Sequence, residues 1–333
     1  MKISFSLGPY HGMPDIGFGV AYEGMTGGLK KLGHEVVIND PTALVEVSFA
    51  HPEWFFWSNP DSYNIGIIPW ESSEVPETWF WHLDDANEIW ATSPFVASVL
   101  EDNQVAPAPV KVYLHGINEN WMPMKRRRKA GKSLKFLSVG EPSERKGGRD
   151  TLQAFYDVFG EDPDYHLTIK AQEYNSTRIR NERGETIKLP QDQPNIDVIL
   201  GSISESALIS LYLKHDILVY PSWGEGFGLI PFQALATGMP TICTSAWAPY
   251  EKYLGSLALS STPMQTQWEL AHPGMMYRPD YEHLKELMRY AADTFDDRAE
   301  EYYAQAPAIH AEYDWLKLTE SAFRPIVEKF ENS

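Results

Sequence analysis

An Arg-Lys pair stands between a strand pattern and a helix pattern in the middle of the chain. The β-rich segment Leu134–Val139 leads through a glycine-containing turn to Arg145 and Lys146, and a helix pattern follows over Gly148–Phe159. Basic side chains supply charge to phosphates, and the free N–H groups of a first helical turn supply directed hydrogen-bond donors. The spacing therefore indicates a pyrophosphate site. It is not the magnesium-holding phosphate loop, because no hydroxyl residue follows Lys146.

A glycine-rich loop follows a second buried strand pattern. The predicted strand Ile217–Tyr220 precedes a loop with three glycines in the five positions 224–228, and a helix pattern begins there. Glycines allow backbone N–H groups to approach a ligand closely. Glu225 follows the strand, where a carboxylate can contact sugar hydroxyls. Gln233 lies eight residues later, so we expect it to face the same cleft.

Strand and helix patterns alternate along the whole chain, which predicts parallel sheets covered by helices on both faces. Strands are expected over 2–7, 34–39, 45–49, 64–70, 88–92, 110–115, 134–139, 166–171, 196–200, 217–220 and 241–244. Helices are expected over 20–32, 94–103, 148–159, 205–214, 228–237 and 308–330, the last bent or broken near Pro325. Ligands bind beyond the carboxyl ends of such strands, so two sheets predict a cleft between two lobes.

The charge is unevenly distributed. The 333 residues carry a net charge of −18, and residues 1–124 hold 4 basic against 16 acidic side chains. A protein that grips nucleic acid needs a contiguous basic face, and the first lobe has the reverse. The one dense basic run, Lys125–Lys132, is interpreted either as a solvated linker or as a segment that attracts a phosphate-bearing ligand to the cleft.

Several segments together resemble one protein family. The Arg-Lys-Gly turn at 145–147 and the segment Pro221–Leu229 are similar to the second domain of GT-B glycosyltransferases of the retaining GT4 type, the glycosyl transferases of group 1. Further similar segments, which with these cover about residues 60–290, are Gly238–Thr241, Pro69–Ser72, Pro76–Trp79, Glu88–Phe95 and His115–Asn118. One position departs from the family pattern, because Gln233 stands where the family has a second glutamate.

The resemblance implies a GT-B architecture of two Rossmann-like, doubly wound parallel-sheet domains that face a central cleft. It divides the chain into an acceptor-side domain over 1–124, a basic linker over 125–133, a domain for a nucleotide-sugar donor over 134–305, and a C-terminal helix over 306–333 that crosses back to the first domain. The implied activity is retaining transfer of a sugar from a UDP- or GDP-linked donor to a hydroxyl of a saccharide or glycolipid precursor.

The resemblance also assigns donor-side roles. Arg145 and Lys146 would bind the diphosphate, and Glu225 would contact the transferred sugar. The backbone amides of Gly226, Phe227, Gly228 and Leu229 would hold the sugar and phosphate, and the base and ribose would lie against Gly201, Ser202 and Ile203. Because Gln keeps one acceptor oxygen but lacks the charge of Glu, we expect Gln233 to retune ribose binding.

On the acceptor side, strand-end residues are the candidates. His51 follows the strand Val45–Phe49 and is interpreted as a sugar-contacting or catalytic residue, or as a loop residue. Glu71 ends another strand and is a candidate acceptor contact. Asp15, Gly17 and Gly19 precede the first helix and are expected to face the same space, whereas His115 is interpreted as a turn residue. The aromatic segment 52–57 predicts a loop whose rings either pack or stack on a sugar or a flipped DNA base.

Composition limits the remaining functions. The ten histidines do not form a convincing ligand pattern, so we expect no metal, and no cofactor besides the donor. Cys243 is the single cysteine, which excludes an internal disulfide, and no apolar run approaches the roughly 20 residues of a membrane span. The chain start is too short and polar for a secretory signal, so a cytoplasmic location is expected.

Three alternatives remain open. A glycosyltransferase that modifies a hydroxymethylated DNA base fits the aromatic segment but conflicts with the acidic first half. A sugar-nucleotide epimerase would share the fold and would need acid–base groups on both sides of the sugar. A non-catalytic nucleotide-sugar binding protein would follow if Gln233 marks loss of activity.

Overall fold

Two parallel six-stranded sheets form the centres of two lobes in a computed structural model of the chain. The structure describes residues 1–10, 12–13, 17–105, 110–140, 143–172, 179–180, 186–188 and 192–331. The predicted α/β class with parallel sheets is confirmed. The ends of the expected strands differ from the observed ends by three residues or fewer. The strands coincide with runs of Val, Ile, Leu and Phe that are buried on both faces of the sheet.

The first sheet has the order β2-β1-β3-β4-β5-β6, and all its strands are parallel. Its strands are β1 (Lys2–Ser6), β2 (Glu35–Ile38), β3 (Val45–Phe49), β4 (Tyr63–Ile68), β5 (Glu88–Ala91) and β6 (Val110–Val112). Helices α1 (Gly17–Lys31) and α2 (Pro94–Asp102) belong to this lobe, as do two short 3₁₀ turns at Pro52–Trp54 and Glu77–His82. The strand order reverses direction between β1 and β3.

The second sheet has the order β11-β8-β7-β12-β13-β14, again with parallel strands. Its strands are β7 (Leu134–Val139), β8 (Tyr165–Ala171), β11 (Ile196–Leu200), β12 (Ile217–Tyr220), β13 (Thr241–Thr244) and β14 (Ala258–Leu259). Helices α3 (Gly148–Phe159), α4 (Glu205–Leu213) and α5 (Leu229–Ala236) connect them. In this Rossmann-type order the topological switch point lies between β7 and β12.

Smaller elements complete the second lobe. Two antiparallel pairs join β9 (Ile179–Arg180) to β10 (Thr186–Lys188) and β15 (Ser261–Gln265) to β16 (Met275–Pro279). The chain then forms α6 (Tyr281–Asp293), α7 (Phe295–Glu312) and α8 (Trp315–Glu331).

The expected single tail helix with a break near Pro325 is wrong. The helix breaks at residues 313–314, and Pro325 lies inside α8. At the break, the amide of Ile117 donates to the carbonyl of Tyr313 at 2.9 Å, and the carboxylate of Asp314 accepts from the amide of Lys317. Because those groups are engaged outside the helix, the chain turns there and α8 crosses to pack on α1 of the first lobe.

The basic run is neither wholly solvated nor wholly available to a ligand. Arg126 is buried, and its guanidinium donates to the carbonyl oxygens of Tyr212, His215 and Thr237 at 2.8–3.1 Å. It thereby fixes the connection between the lobes to the ends of α4 and α5. Residues 127–129 are exposed.

The crossing of α8 depends on small residues in α1. A Cβ at Gly24 would overlap the Trp315 indole, and one at Gly28 would lie 2.6 Å from Thr319 Oγ1, whereas Gly27 has nothing within 4 Å. We expect Gly27→Ala to raise the free energy of unfolding by about 0.5–1 kcal/mol, because Ala has the higher helix propensity. Gly24→Ala should lower it by about 1–3 kcal/mol through overpacking.

Urea unfolding of both variants checks this expectation. The two substitutions are chemically identical and lie three residues apart in one helix. Equal effects on stability would show that α8 does not pack on α1 at this place.

Candidate active site

The turn between β7 and α3 is held in place by the loop after β12. Gly147 has φ +68°, and a Cβ there would overlap the carbonyl oxygen of Pro221, so only glycine fits. The carbonyl of Arg145 accepts a hydrogen bond of 2.8 Å from the amide of Trp223. These contacts fix Arg145 and Lys146 at the topological switch point, directly beside the loop that carries Glu225.

Glu225 is a buried carboxylate with a full set of donors. Lys146 Nζ reaches its two oxygens at 2.7 and 2.8 Å, Ser222 Oγ donates at 2.7 Å, and the Tyr220 hydroxyl donates at 2.9 Å. Burial alone would raise the pKa of Glu225, but the charges of Lys146 and Arg145 and the hydrogen bonds hold that pKa below its ordinary value. Glu225 is therefore ionised at neutral pH.

Arg145 connects the carboxylates of the two lobes. Its Nη1 donates to the carbonyl of Gly224 at 2.9 Å and lies 3.8 Å from Glu71 Oε1 and 4.0 Å from Glu225 Oε1. On the other side of Glu71, Oε2 lies 3.7 Å from His272 Nδ1, and neither of these two buried atoms has a hydrogen-bond partner. Burial lowers the pKa of His272, although Glu71 opposes the shift.

The glycines of the loop at 224–228 serve packing between protein segments. A Cβ at Gly224 would overlap the Glu71 carbonyl of the first lobe, and one at Gly226 would lie 2.6 Å from Pro69 Cβ. Gly228 has φ +82° and faces Trp247. The interpretation that these glycines leave space for a ligand is therefore incomplete, because they also let the two lobes touch.

A cavity of about 480 Å³ lies between the lobes beside this contact. Predicted residues that line it are Gly17, Glu71, Lys146, Ser202, Ile203, Glu225, Gly226, Phe227, Gly228, Leu229 and Gln233. Both lobes contribute, and the second lobe provides most of these residues. The structure thus brings together the turn between β7 and α3, the glycine-rich loop and the turn after β11, which are far apart in the sequence.

Other predicted residues do not line this cavity. Arg145 lies behind the cavity, beside the carboxylates of Glu71 and Glu225. Gly201 does not line the cavity, and its carbonyl oxygen accepts a hydrogen bond from Lys170 Nζ. Gly19 is buried within α1. Asp15 lies outside the described residues.

His51 is placed in an aromatic cluster one layer behind the wall. Its ring lies 5.6 Å from that of Trp70, 5.8 Å from that of Trp79 and 6.0 Å from that of Phe18, and only Phe18 of these lines the cavity. His51 does not line the cavity, and its role as a sugar-contacting or catalytic residue stays a prediction. Its position directly after β3 is as expected, but the ring turns toward the neighbouring tryptophans.

Lys170 was missed by the sequence analysis. It is the penultimate residue of β8, and its Nζ donates to the carbonyl oxygens of Ala171 and Gly201 beside the turn after β11. Burial lowers its pKa. A lysine at the carboxyl end of a strand, next to the apolar residues Ile169 and Ala171, is the signal that could have identified it.

His115 lines the cavity and is more than a turn residue. Its ring packs against Phe227 at 4.8 Å, and Phe49 and Trp315 lie at 5.9 Å. Its Nδ1 is buried without a hydrogen-bond partner. Burial lowers the pKa of His115 to about 3, so the ring is neutral at physiological pH.

Among the described residues, no group of three or more His, Cys, Asp or Glu side chains is arranged to hold a metal ion. Within the same part of the chain, no helix is long and apolar enough to cross a membrane.

Solved structures share this architecture over the whole chain. Sucrose-phosphate synthase from Thermosynechococcus elongatus is 14% identical, with a TM-score of 0.66 over 100% of this chain and 99% of that one. WaaG, a glycosyltransferase involved in lipopolysaccharide biosynthesis, is also 14% identical, with a TM-score of 0.61 over 97% and 98%. This chain has the GT-B fold. The architecture that the sequence motifs implied is thereby confirmed.

The GT-B chain also matches known sequences around its switch point. Residues 121–256 match the family model of glycosyl transferases group 1. A serotype-specific mannosyltransferase from Escherichia coli, WbdA, is 32% identical over 108 residues, which are 32% of this chain and 13% of that protein. The chain therefore spans a small part of the curated relatives that it matches. The resemblance to GT-B glycosyltransferases of group 1, expected from the motifs, is confirmed.

The Lys146–Glu225 pair allows a direct test of the cluster. We expect Lys146→Met to lower the free energy of unfolding by about 2 kcal/mol or more, because a buried carboxylate loses its main counter-charge. Lys252→Met is the matched control, since Lys252 Nζ contacts the two oxygens of Glu312 at 2.8 and 2.6 Å but both residues are exposed, and it should cost about 1 kcal/mol or less.

Adding Glu225→Gln to Lys146→Met should recover part of the loss, because the uncompensated charge is removed. Urea unfolding of the wild type, Lys146→Met, Glu225→Gln and the double variant gives the coupling between the two residues. A cost for Lys146→Met no larger than that for Lys252→Met would contradict the cluster.

The buried His115 predicts acid sensitivity. In the unfolded chain His115 becomes protonated below pH 6.5, its ordinary pKa. In the folded protein it stays neutral until the pH approaches 3. The free energy of unfolding therefore falls as the pH decreases, and this residue contributes about 2 kcal/mol of the loss between pH 7 and pH 5. His115→Phe should flatten the dependence by that amount, as measured by urea unfolding at several pH values.

The same substitution at the exposed His82 is the control. An unchanged pH dependence in His115→Phe, with the fold intact by circular dichroism, would show that His115 is accessible to protons in the folded protein.

Proposed function

We propose that this chain transfers a sugar from a nucleotide-diphosphate sugar to a hydroxyl acceptor, with retention of configuration and without a metal ion. The observation that carries the proposal is the cluster of Arg145, Lys146 and Glu225 at the switch point of the second sheet, of which Lys146 and Glu225 line the interlobe cavity. The family match covers this region. Over a matched segment of 108 residues, this chain is 32% identical to the mannosyltransferase WbdA.

The donor diphosphate would bind where Lys146 now contacts Glu225. Lys146 Nζ and the first turns of α3 and α5 present positive charge and N–H donors at this end of the sheet. A diphosphate would compete with Glu225 for Lys146, and Glu225 would then be free to accept hydrogen bonds from hydroxyls of the sugar. Arg145, held between Glu71 and Glu225, would add a fixed positive charge behind them.

The nucleoside would occupy the other end of the cavity. Ser202 and Ile203 line it there, and Lys170 fixes the turn by donating to the Gly201 carbonyl. Gln233 also lines the cavity and can offer both an acceptor oxygen and an amide donor to ribose hydroxyls. This chemistry fits a UDP- or GDP-linked donor.

The reaction would break the bond between the sugar C1 and the phosphate oxygen and form a bond from C1 to the acceptor oxygen on the same face. The acceptor proton would pass to the departing diphosphate oxygen, which balances the charge. Lys146, Arg145 and the backbone amides of the glycine-rich loop would stabilise the negative charge on the leaving group from fixed positions. Basic side chains and helix termini thus take the place of a metal ion.

The acceptor hydroxyl would enter from the first lobe, where Glu71 lines the cavity. A saccharide acceptor suits this lobe better than DNA, because residues 1–124 carry 16 acidic side chains against 4 basic ones. A phosphate backbone would be repelled there.

A thermal-shift panel of UDP-, GDP-, ADP-, dTDP- and CMP-sugars tests the donor site. A donor at 100 times its dissociation constant should add about 2.7 kcal/mol to stability. We expect one nucleotide to stabilise the wild type and Lys252→Met but not the charge-balanced Lys146→Met/Glu225→Gln variant. If no donor stabilises the folded protein, the donor site is refuted.

The active donor is then incubated with neutral oligosaccharides, and proton NMR gives the anomeric configuration of the product. The same configuration as in the donor supports retention, and the opposite configuration refutes it. A donor that binds without transfer or that changes its sugar without an acceptor would point to a binding protein or to an epimerase.

A further inference from the structure

Four large aromatic side chains are exposed on one edge of the first lobe. Trp54, Phe56, Phe80 and Trp81, here called the aromatic rim, are 51%, 50%, 42% and 81% exposed. The same lobe buries Trp70, Trp79 and Trp90 almost completely, so exposure is a property of these four rings and not of all aromatic residues in the lobe. Clustered exposed aromatics mark binding surfaces.

The rim lies at the ligand-binding edge of the sheet. Trp54 and Phe56 follow the carboxyl end of β3, and Phe80 and Trp81 follow that of the adjacent β4. Their two 3₁₀ turns pack against each other. In open α/β sheets this is the edge at which ligands bind.

Buried hydrogen bonds hold the first half of the rim rigid. The carboxylate of Glu46 accepts from the amide and hydroxyl of Ser58 and from the amide of Asn59, each at 2.7 Å. The amide of Phe56 donates to Ser48 Oγ at 3.3 Å. Because the loop is fixed, Trp54 and Phe56 are presented to solvent at little entropic cost to a ligand.

Aromatic contacts connect the rim to the cavity. Trp54 donates its amide to the carbonyl of His51, whose ring lies 5.6 Å from that of Trp70. Trp70 in turn lies 5.0 Å from His272, which pairs with Glu71 on the cavity wall. The rim and the candidate acceptor position are therefore joined by one layer of packed side chains.

The charge around the rim selects its ligand. The sequence has no Lys or Arg from residue 32 to residue 110, whereas Glu53, Glu74, Glu77 and Asp84 are exposed near the two turns. Such a surface repels nucleic acid and anionic bilayers. A neutral saccharide fits, because carboxylates accept hydrogen bonds from hydroxyls and aromatic faces cover the apolar C–H faces of sugar rings.

We propose that the aromatic rim binds a neutral saccharide chain, at sugar units distant from the reacting hydroxyl. The assignment rests on the proposed function in that it makes this chain the acceptor. The rim would hold an extended acceptor while its terminal hydroxyl reaches Glu71, which favours polymeric over monomeric acceptors.

Affinity electrophoresis tests the rim without any donor. The intact protein is run in native gels that contain mannan, dextran or galactomannan, and retardation gives the dissociation constant. We expect retardation by at least one of them, weakened about tenfold or more in Trp54→Ala/Trp81→Ala and largely kept in Trp54→Phe/Trp81→Phe. Tyr290→Ala, an exposed ring on the second lobe, is the matched control and should migrate as the wild type.

Each outcome decides the proposal. Retardation by no polysaccharide, or equal retardation of wild type and Trp54→Ala/Trp81→Ala, overturns it. Rim-dependent binding to phosphatidylcholine vesicles or to single-stranded DNA, in place of saccharide, overturns it in favour of that partner. The donor thermal shift is measured on the same variants: its absence together with rim-dependent retardation would refute the proposed transfer and leave a saccharide-binding surface.

Discussion

The charge of Glu225 is the constraint on which the centre of this protein depends. A carboxylate buried at the junction of two lobes is costly unless opposite charge and hydrogen bonds surround it. Lys146 provides the charge from the turn after β7, and Ser222 and Tyr220 provide donors from β12 and its loop. One buried charge thereby joins the two strand-end segments at the switch point. Arg145 extends the arrangement to Glu71 of the other lobe.

Under the proposed function, donor binding is an exchange of partners. The basic groups that would hold a diphosphate are already neutralised by Glu225 and Glu71, so they do not give this part of the cleft a strongly positive surface. This agrees with a chain whose net charge is −18. Binding would depend on directed donors and on the release of Glu225 to the sugar, and less on long-range attraction. An acidic first lobe is compatible with such a site.

Small residues decide how closely the segments approach. Gly224 and Gly226 lie against the backbone and side chains of residues 69–71, and Gly24 and Gly28 lie against α8. In the sequence a glycine that admits a ligand and a glycine that admits another protein segment have the same appearance. The structure assigns these four to protein contacts, and both sets stabilise the same closed arrangement of the two lobes.

The sequence by itself determined the architecture and the positions of Arg145, Lys146 and Glu225 at strand ends. Strands buried on both faces are apolar throughout and helices have their own period, so the alternation and most bounds could be predicted locally. Arg145, Lys146 and Glu225 were identifiable because each follows a recognisable strand.

Only the tertiary structure decided what lies opposite them. Long-range contacts place Lys170 and His115 on the cavity, turn His51 away from it and bring His272 to Glu71. They also break the tail helix at residue 313, where the carbonyl of Tyr313 accepts a hydrogen bond from the amide of Ile117. Ile117 lies almost 200 residues earlier in the chain. No local pattern encodes these pairings, since they depend on which surfaces meet after the sheets have formed.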